Sequence, residues 1–213
     1  MRQSVKYVAI EGPIGVGKTT LAKRLAGDLN AELILEGADA NPFLSRFYAE
    51  PERYALATQL FFLLQRAEQL DGLRQIDLFS DVRIADFMLD KDRLFAELTL
   101  DAEEFTLYDQ VYRHVVRDYP KPDLVIYMQA PVETLQARIL HRGIDYEGDI
   151  DDAYLDKLVE IYSRYFQSFD AAPLLVIDAV QSDLVHRDED YHDLLQQMNL
   201  IDSGRHFLTP SVW

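Results

Sequence analysis

The stretch Val5-Lys6-Tyr7-Val8-Ala9-Ile10-Glu11-Gly12-Pro13-Ile14-Gly15-Val16-Gly17-Lys18-Thr19-Thr20 reads as a strand, a glycine-rich loop and the opening of a helix. Val5–Ile10 is a short, mostly apolar run, and Gly12–Thr19 fits G-x-x-x-x-G-K-[ST]. From Thr20 to Asn30, Leu21, Leu25 and Leu29 share one helical stripe. In that setting glycines let backbone N–H groups converge on phosphate oxygens, and the helix N-terminus adds its positive dipole end. Gly12, Gly15, Val16, Gly17, Lys18, Thr19 and Thr20 are therefore assigned to a bound nucleotide, with Lys18 reaching the β- and γ-phosphates and Thr19 meeting Mg²⁺. The ligand class is a nucleoside triphosphate.

Outward from this loop, short β-branched or aliphatic runs alternate with segments of helical period, without repeat, linker or low-complexity interruption. Further strands are predicted at Glu32–Glu36, Asp81–Asp86, Asp123–Met128 and Leu174–Asp178. Continuous rather than alternating apolarity suits strands covered on both faces, as in a parallel sheet. Helices are predicted at Arg53–Gln75, Glu103–Arg117, Val132–Arg142, Ala153–Phe169 and Tyr191–Met198. The expectation is one α/β domain over residues 1–213. Ala57–Leu70 is apolar on more than one face, which suits a central core helix or half of a subunit interface.

The remaining composition excludes several classes. The 213 residues are 48% hydrophobic, enough for a sizeable core, and carry a formal charge of -16, which repels polyanions and argues against nucleic-acid binding. An anionic ligand must then be held by local cations and backbone dipoles. With no cysteine there are no disulfides, thiolate nucleophiles or thiolate metal sites. Met1–Ser4 runs straight into Val5–Ile10, too short for a signal sequence, and no apolar run approaches ~18 residues, so a soluble cytoplasmic protein without membrane contact is expected. The histidines His114, His141, His186, His192 and His206 lack metal-ligand spacing and are read as surface residues. Asp188-Glu189-Asp190 reads as a dipole complement at a helix N-terminus. No N-K-x-D guanine-reading motif occurs, and no apolar run ends in a pair of acids, so a kinase is favoured over a GTPase or ATPase.

Four segments carry a resemblance: Glu11–Thr20; Asn41-Pro42-Phe43-Leu44-Ser45-Arg46-Phe47-Tyr48 with Gln59 eleven residues on; Asp86–Ala96; and Arg138–Glu147. Together they resemble the deoxyribonucleoside kinase family, closest to its bacterial deoxyadenosine/deoxyguanosine branch. The resemblance implies a P-loop NTPase fold: a five-stranded parallel sheet, helices on both faces, a helical lid at about 138–148 and a homodimer of paired helices. The implied reaction moves the γ-phosphate of ATP, with Mg²⁺, to the 5′-hydroxyl of a purine deoxynucleoside in nucleotide salvage. By the same resemblance Glu36 accepts the hydroxyl proton, Tyr48 and Glu147 hold the 3′-hydroxyl, and Gln59 meets the base edge. Phe47, with Phe43 and Phe87, is a stacking candidate, and Asp86 faces the substrate and the metal. Arg138 and Arg142 belong to the lid that closes on the phosphates, where guanidinium groups stabilise transferring charge.

The chain departs from that pattern twice. Ile144 stands where a third lid arginine is common, and Ala85-Asp86-Phe87 replaces an acid-Arg-Ser triplet, so the arginine is missing; Arg93 is the candidate replacement. A nucleoside-monophosphate kinase and a noncatalytic nucleotide-binding subunit are the alternatives.

Overall fold

The computed structural model describes residues 5–74, 82–116 and 119–208. Its strands are β1 (Tyr7–Glu11), β2 (Glu32–Ile34), β3 (Arg83–Ala85), β4 (Leu124–Gln129), β5 (Leu174–Asp178) and β6 (Arg205–Leu208). They form one sheet in the order β2-β3-β1-β4-β5-β6 with every neighbouring pair parallel. Successive side chains point to opposite faces, and both faces are buried. Val8, Ile10, Ile84, Ile126 and Ile177 pack on one side with Leu21, Leu25 and Leu194, whereas Tyr7, Ala9, Ala85, Val125 and Val176 pack on the other with Leu63, Tyr108 and Tyr162.

The helices are α1 (Lys18–Leu29), α2 (Leu44–Ala49), α3 (Pro51–Arg74), α4 (Asp90–Thr99), α5 (Ala102–Val115), α6 (Val132–Arg142), α7 (Asp152–Gln167) and α8 (Asp188–Leu200). The first core side holds α1 and α8; the second holds α3, α4, α5 and α7. The predicted helical and strand segments are present, with ends shifted by a few residues. The predicted start at Asp81, the end of α3 at Gln75, Arg117 and the tail from 209 to 213 lie outside the described residues.

Three elements were not expected. A sixth strand extends the five-stranded expectation: β6 pairs with β5, buries Leu208, and Arg205 donates to the Phe166 and Gln167 carbonyls at 2.5 and 2.7 Å, closing the C-terminal end of α7. Helices α2 and α4 also went unpredicted, the first because it has only six residues, the second because it opens on charged residues.

Candidate active site

The loop between β1 and α1 owes its shape to glycine. Gly12 has φ +148°, and a Cβ there would stand 2.3 Å from the Met128 carbonyl oxygen; Gly15 has φ +81°, and its Cβ would stand 2.8 Å from the Leu135 oxygen. A side chain at either position would push the loop off β4 or α6. A cavity of roughly 1030 Å³ opens from this loop, lined by Gly15, Val16, Gly17, Lys18, Thr19 and Thr20. Gly12 shapes the turn that leads into this lining. Lys18 is buried and its ammonium donates to the carbonyls of Gly12 and Pro13 at 2.8 and 3.1 Å. Burial and the neighbouring Lys91 ammonium push its pKa down to about 8.

Asp86, just past β3, joins the loop to the next strand. Its Oδ2 accepts from the Thr19 hydroxyl at 2.5 Å and its Oδ1 accepts from the Glu36 backbone N–H at 2.7 Å. A hydroxyl beside a buried carboxylate is a donor set that Mg²⁺ accepts when phosphates and water complete its shell. Among the described residues no group of three or more His, Asp or Glu gathers as a ready-made metal cage.

Glu36 stands past the carboxyl end of β2 and lines the cavity. Two cations hold it: Arg66 of α3 on Oε1 and Lys91 of α4 on Oε2, the latter at 2.6 Å. Burial alone would raise its pKa; Lys91, Arg66 and Lys18 overcome that and hold the carboxyl well below the usual range. Arg66 also pairs with fully buried Asp92, and its guanidinium lies 4.8 Å over the Phe62 ring.

The far end of the cavity is aromatic and polar. Tyr48 stacks on Tyr146 with centroids 6.1 Å apart and meets Tyr154 edge-on at 6.4 Å. Burial first, then Tyr154 and Glu147, raise its phenol pKa well above the ordinary value, so it stays a donor. Gln59 is buried on α3 and donates to the Thr99 hydroxyl at 3.2 Å. Glu147 is buried and receives a bidentate contact from Arg142, at 2.7 Å on Oε1 and 2.6 Å on Oε2. Arg138 donates to the Val16 and Ala179 carbonyls at 3.0 and 2.8 Å. Arg138 and Arg142 share the cavity wall but not a target.

Glu36, Tyr48, Gln59, Asp86, Glu147 and Phe47 all line this cavity, as do Arg138, Arg142 and Ile144. Two expectations are corrected. Phe87 is fully buried in the core against the sheet, and Phe43 packs edge-on against Phe61 at 6.4 Å; neither reaches the cavity, where Phe62 and Phe95 stand with Phe47. Arg93 is exposed, faces Glu97 and Asp109 at 3.3 and 3.7 Å, and is not among the residues that line the cavity with Glu36. His141 and His186 are exposed, as the sequence reading has them, and also line the cavity.

Sequence reasoning missed Arg66, Lys91 and Asp92. Arg66 had a signal: it interrupts an apolar helix seven residues after Gln59, two turns on, and therefore shares its face.

The profile of a family described as deoxynucleoside kinase matches residues 8–201. The chain is 34% identical to the deoxyguanosine kinase of Bacillus subtilis (strain 168) over 190 residues, 87% of this chain and 92% of that protein. It is 26% identical to the deoxyadenosine kinase of Lactobacillus acidophilus over 209 residues, 92% of this chain and 95% of that protein. A solved structure of deoxyadenosine kinase from M. mycoides, with products dCMP and a flexible dCDP bound, superposes with a TM-score of 0.81 at 24% identity, covering 91% of this chain and 99% of that one. The likeness to that structure is one of fold.

Proposed function

This chain belongs to the deoxynucleoside kinase family, and from that premise we propose that it transfers the γ-phosphoryl group of ATP to the 5′-hydroxyl of a purine deoxynucleoside. The observation that carries the reading is the continuity of one cavity from Lys18 and Thr19, past Glu36, to Tyr48, Gln59 and Glu147. One ligand end needs phosphate chemistry, the other needs hydroxyl and base-edge chemistry, and a carboxylate stands between them. The purine preference is supported by the relatives that bear deoxyguanosine and deoxyadenosine kinase names. The whole chain, 1–213, is read as one kinase domain acting in cytoplasmic salvage as a homodimer; among the described residues no helix is long and apolar enough to cross a membrane.

In this reading the loop N–H groups and Lys18 hold the β- and γ-phosphates, and Thr19 and Asp86 would hold Mg²⁺. Bound there, Mg²⁺ neutralises phosphate charge. Tyr48 donates to the sugar 3′-hydroxyl and Glu147 accepts from it, which fits a group that both gives and takes a hydrogen bond. The amide of Gln59 meets the base edge, with Phe47 against the ring. Glu36 accepts the 5′-hydroxyl proton as the 5′-oxygen bonds the γ-phosphorus; the bond from that phosphorus to the β–γ bridging oxygen breaks, and ADP leaves with the electron pair. Because phosphoryl transfer has a loose transition state, Glu36 contributes orientation as much as basicity. Arg138 and Arg142 close over the transferring charge.

The test is initial rates with ATP across the four deoxynucleosides and their monophosphates, with Lys18→Ala and Glu36→Gln beside the native chain. Transfer to purine deoxynucleosides, abolished in Lys18→Ala and lowered ~10²–10⁴-fold in Glu36→Gln, is the expected result. Transfer to monophosphates alone would replace this reading with the monophosphate kinase, and ATP binding without transfer to either set would replace it with a noncatalytic subunit.

A further inference from the structure

Three cations converge on Glu36 and the loop: Lys18, Arg66 and Lys91, all buried. Lys18 belongs to the phosphate loop. Arg66 is fixed, since it spans Glu36 and Asp92 and lies over the Phe62 ring. Lys91 differs from both: its ammonium meets the Glu36 carboxylate at 2.6 Å, and among the described residues its ion pairs include no second carboxylate. Its ammonium also lies 5.3 Å from the Phe95 ring centroid, at the end of a four-carbon stem.

The position of Lys91 is electrostatically awkward. It lies in the first turn of α4, where the helix dipole disfavours a cation, and its side chain is only 7% exposed. It also stands close enough to Lys18 to push that ammonium toward neutrality, and both line the same cavity. Two buried ammonium groups that repel each other and line one cavity are both favoured by an anion bound in it.

Glu36 supplies the second constraint. Both of its oxygens are already engaged, Oε1 by Arg66 and Oε2 by Lys91. A hydroxyl that arrives at this carboxylate competes with both cations for its lone pairs; Arg66 is also paired with Asp92, whereas the ion pairs of Lys91 among the described residues include Glu36 alone.

We propose that Lys91 is a catalytic residue, whose ammonium leaves Glu36 as the acceptor 5′-hydroxyl arrives there and turns onto the oxygens of the transferring phosphoryl group. This rests on the kinase reading above and deepens it: the chain supplies from α4 a cation whose action is felt only once both substrates are present. The side chain performs no covalent step; it redistributes charge from a carboxylate that is taking up a proton to a phosphoryl group in transit.

The experiment measures single-turnover transfer from ATP to the best deoxynucleoside acceptor by the native chain, Lys91→Met and Lys91→Arg, with ATP and nucleoside affinities from calorimetry. Lys91→Met is expected to slow transfer ~10²–10³-fold while both affinities stay within a few-fold of native. Lys91→Arg, which keeps the charge, is expected to recover all but about tenfold of that rate. Transfer by Lys91→Met within about twofold of native would overturn the proposal and leave the kinase reading standing. So would a loss confined to nucleoside affinity and not recovered by arginine, since that marks a clamp on Glu36 and no more. If the native chain transfers phosphate to no deoxynucleoside, the kinase reading fails and this proposal falls with it.

Discussion

Glu11, the last residue of β1, accepts hydrogen bonds from the backbone N–H of Met88 at 2.5 Å, that of Gly12 at 3.2 Å, and the Tyr162 hydroxyl at 3.0 Å. One carboxyl thereby ties the phosphate loop to the segment after Asp86 and to α7. Burial raises its pKa above the usual 4.5 despite the opposing pull of Lys91 and Lys18. A carboxyl whose folded pKa exceeds its unfolded value stabilises the fold fully below the unfolded pKa and loses that contribution as pH rises through the folded one. In Glu11→Gln the titration is gone, so stability should fall less steeply above pH 4.5 than in the native chain. The amide NH₂ also faces a donor in place of an acceptor, for a loss of about 1–3 kcal/mol. Urea melts at several pH values check both parts; equal stability with an unchanged slope would refute them. The same residue marks the limit of what the sequence discloses. Lys18 and Thr19 were legible because their ligand is encoded in eight adjacent residues, whereas Glu11 meets Met88 at a separation of 77, Glu36 meets Lys91 at 55 and Arg66 at 30. Such partners are fixed by which strands lie side by side, and periodicity carries no record of that.

At the scale of the element, local chemistry was legible and strand addition was not. Asp101 caps α5 by accepting from the N–H groups of Glu103 and Glu104 at 2.9 and 2.8 Å, while the Glu104 carboxylate accepts from the Asp101 N–H at 3.4 Å. This reciprocal pair is written in the sequence as Asp-x-x-Glu. Asp101→Ala should lower stability by about 1 kcal/mol. Since no residue of α5 lines the cavity, kcat and KM should not change, and a drop in turnover would show that α5 reaches the site by a route these contacts do not reveal. By contrast β6 has four residues, Arg205-His206-Phe207-Leu208, of which only Leu208 is buried. Its hydrogen bonds come from β5, so nothing in its own composition marks it as a strand. The segment from Asp90 reads as charged surface until β3 and α3 are in place to bury Lys91 and Asp92. Where an element is stabilised by its own residues the sequence suffices; where it is stabilised by a neighbour's, the neighbour must be placed first.

For the whole molecule, charge and apolar surface set opposing terms. A chain of formal charge -16 repels a second copy of itself, so self-association requires an apolar contact large enough to overcome that repulsion. Two packed helices offer one: Leu64 on α3 is 53% exposed and Leu107 on α5 is 48% exposed. Their exposure matches the excess apolarity of Ala57–Leu70, because α3 buries Ala55, Phe62, Leu63, Ala67 and Leu70 inward and still presents Leu64 outward. In a two-fold interface a residue near the axis meets its own copy, so Leu64→Glu would place two like charges together where two apolar side chains had been. Light scattering should give the native chain about twice 24.6 kDa at micromolar concentration and Leu64→Glu about 24.6 kDa. Added salt should tighten the native dimer, because it screens the mutual repulsion of two acidic copies and leaves apolar burial in place. Since Lys18, Glu36, Arg66 and Lys91 all line a cavity within one copy, the Leu64→Glu monomer should retain turnover. A native monomer across that range, or a dimer that Leu64→Glu leaves intact, would mean that α3 and α5 are not the paired surface.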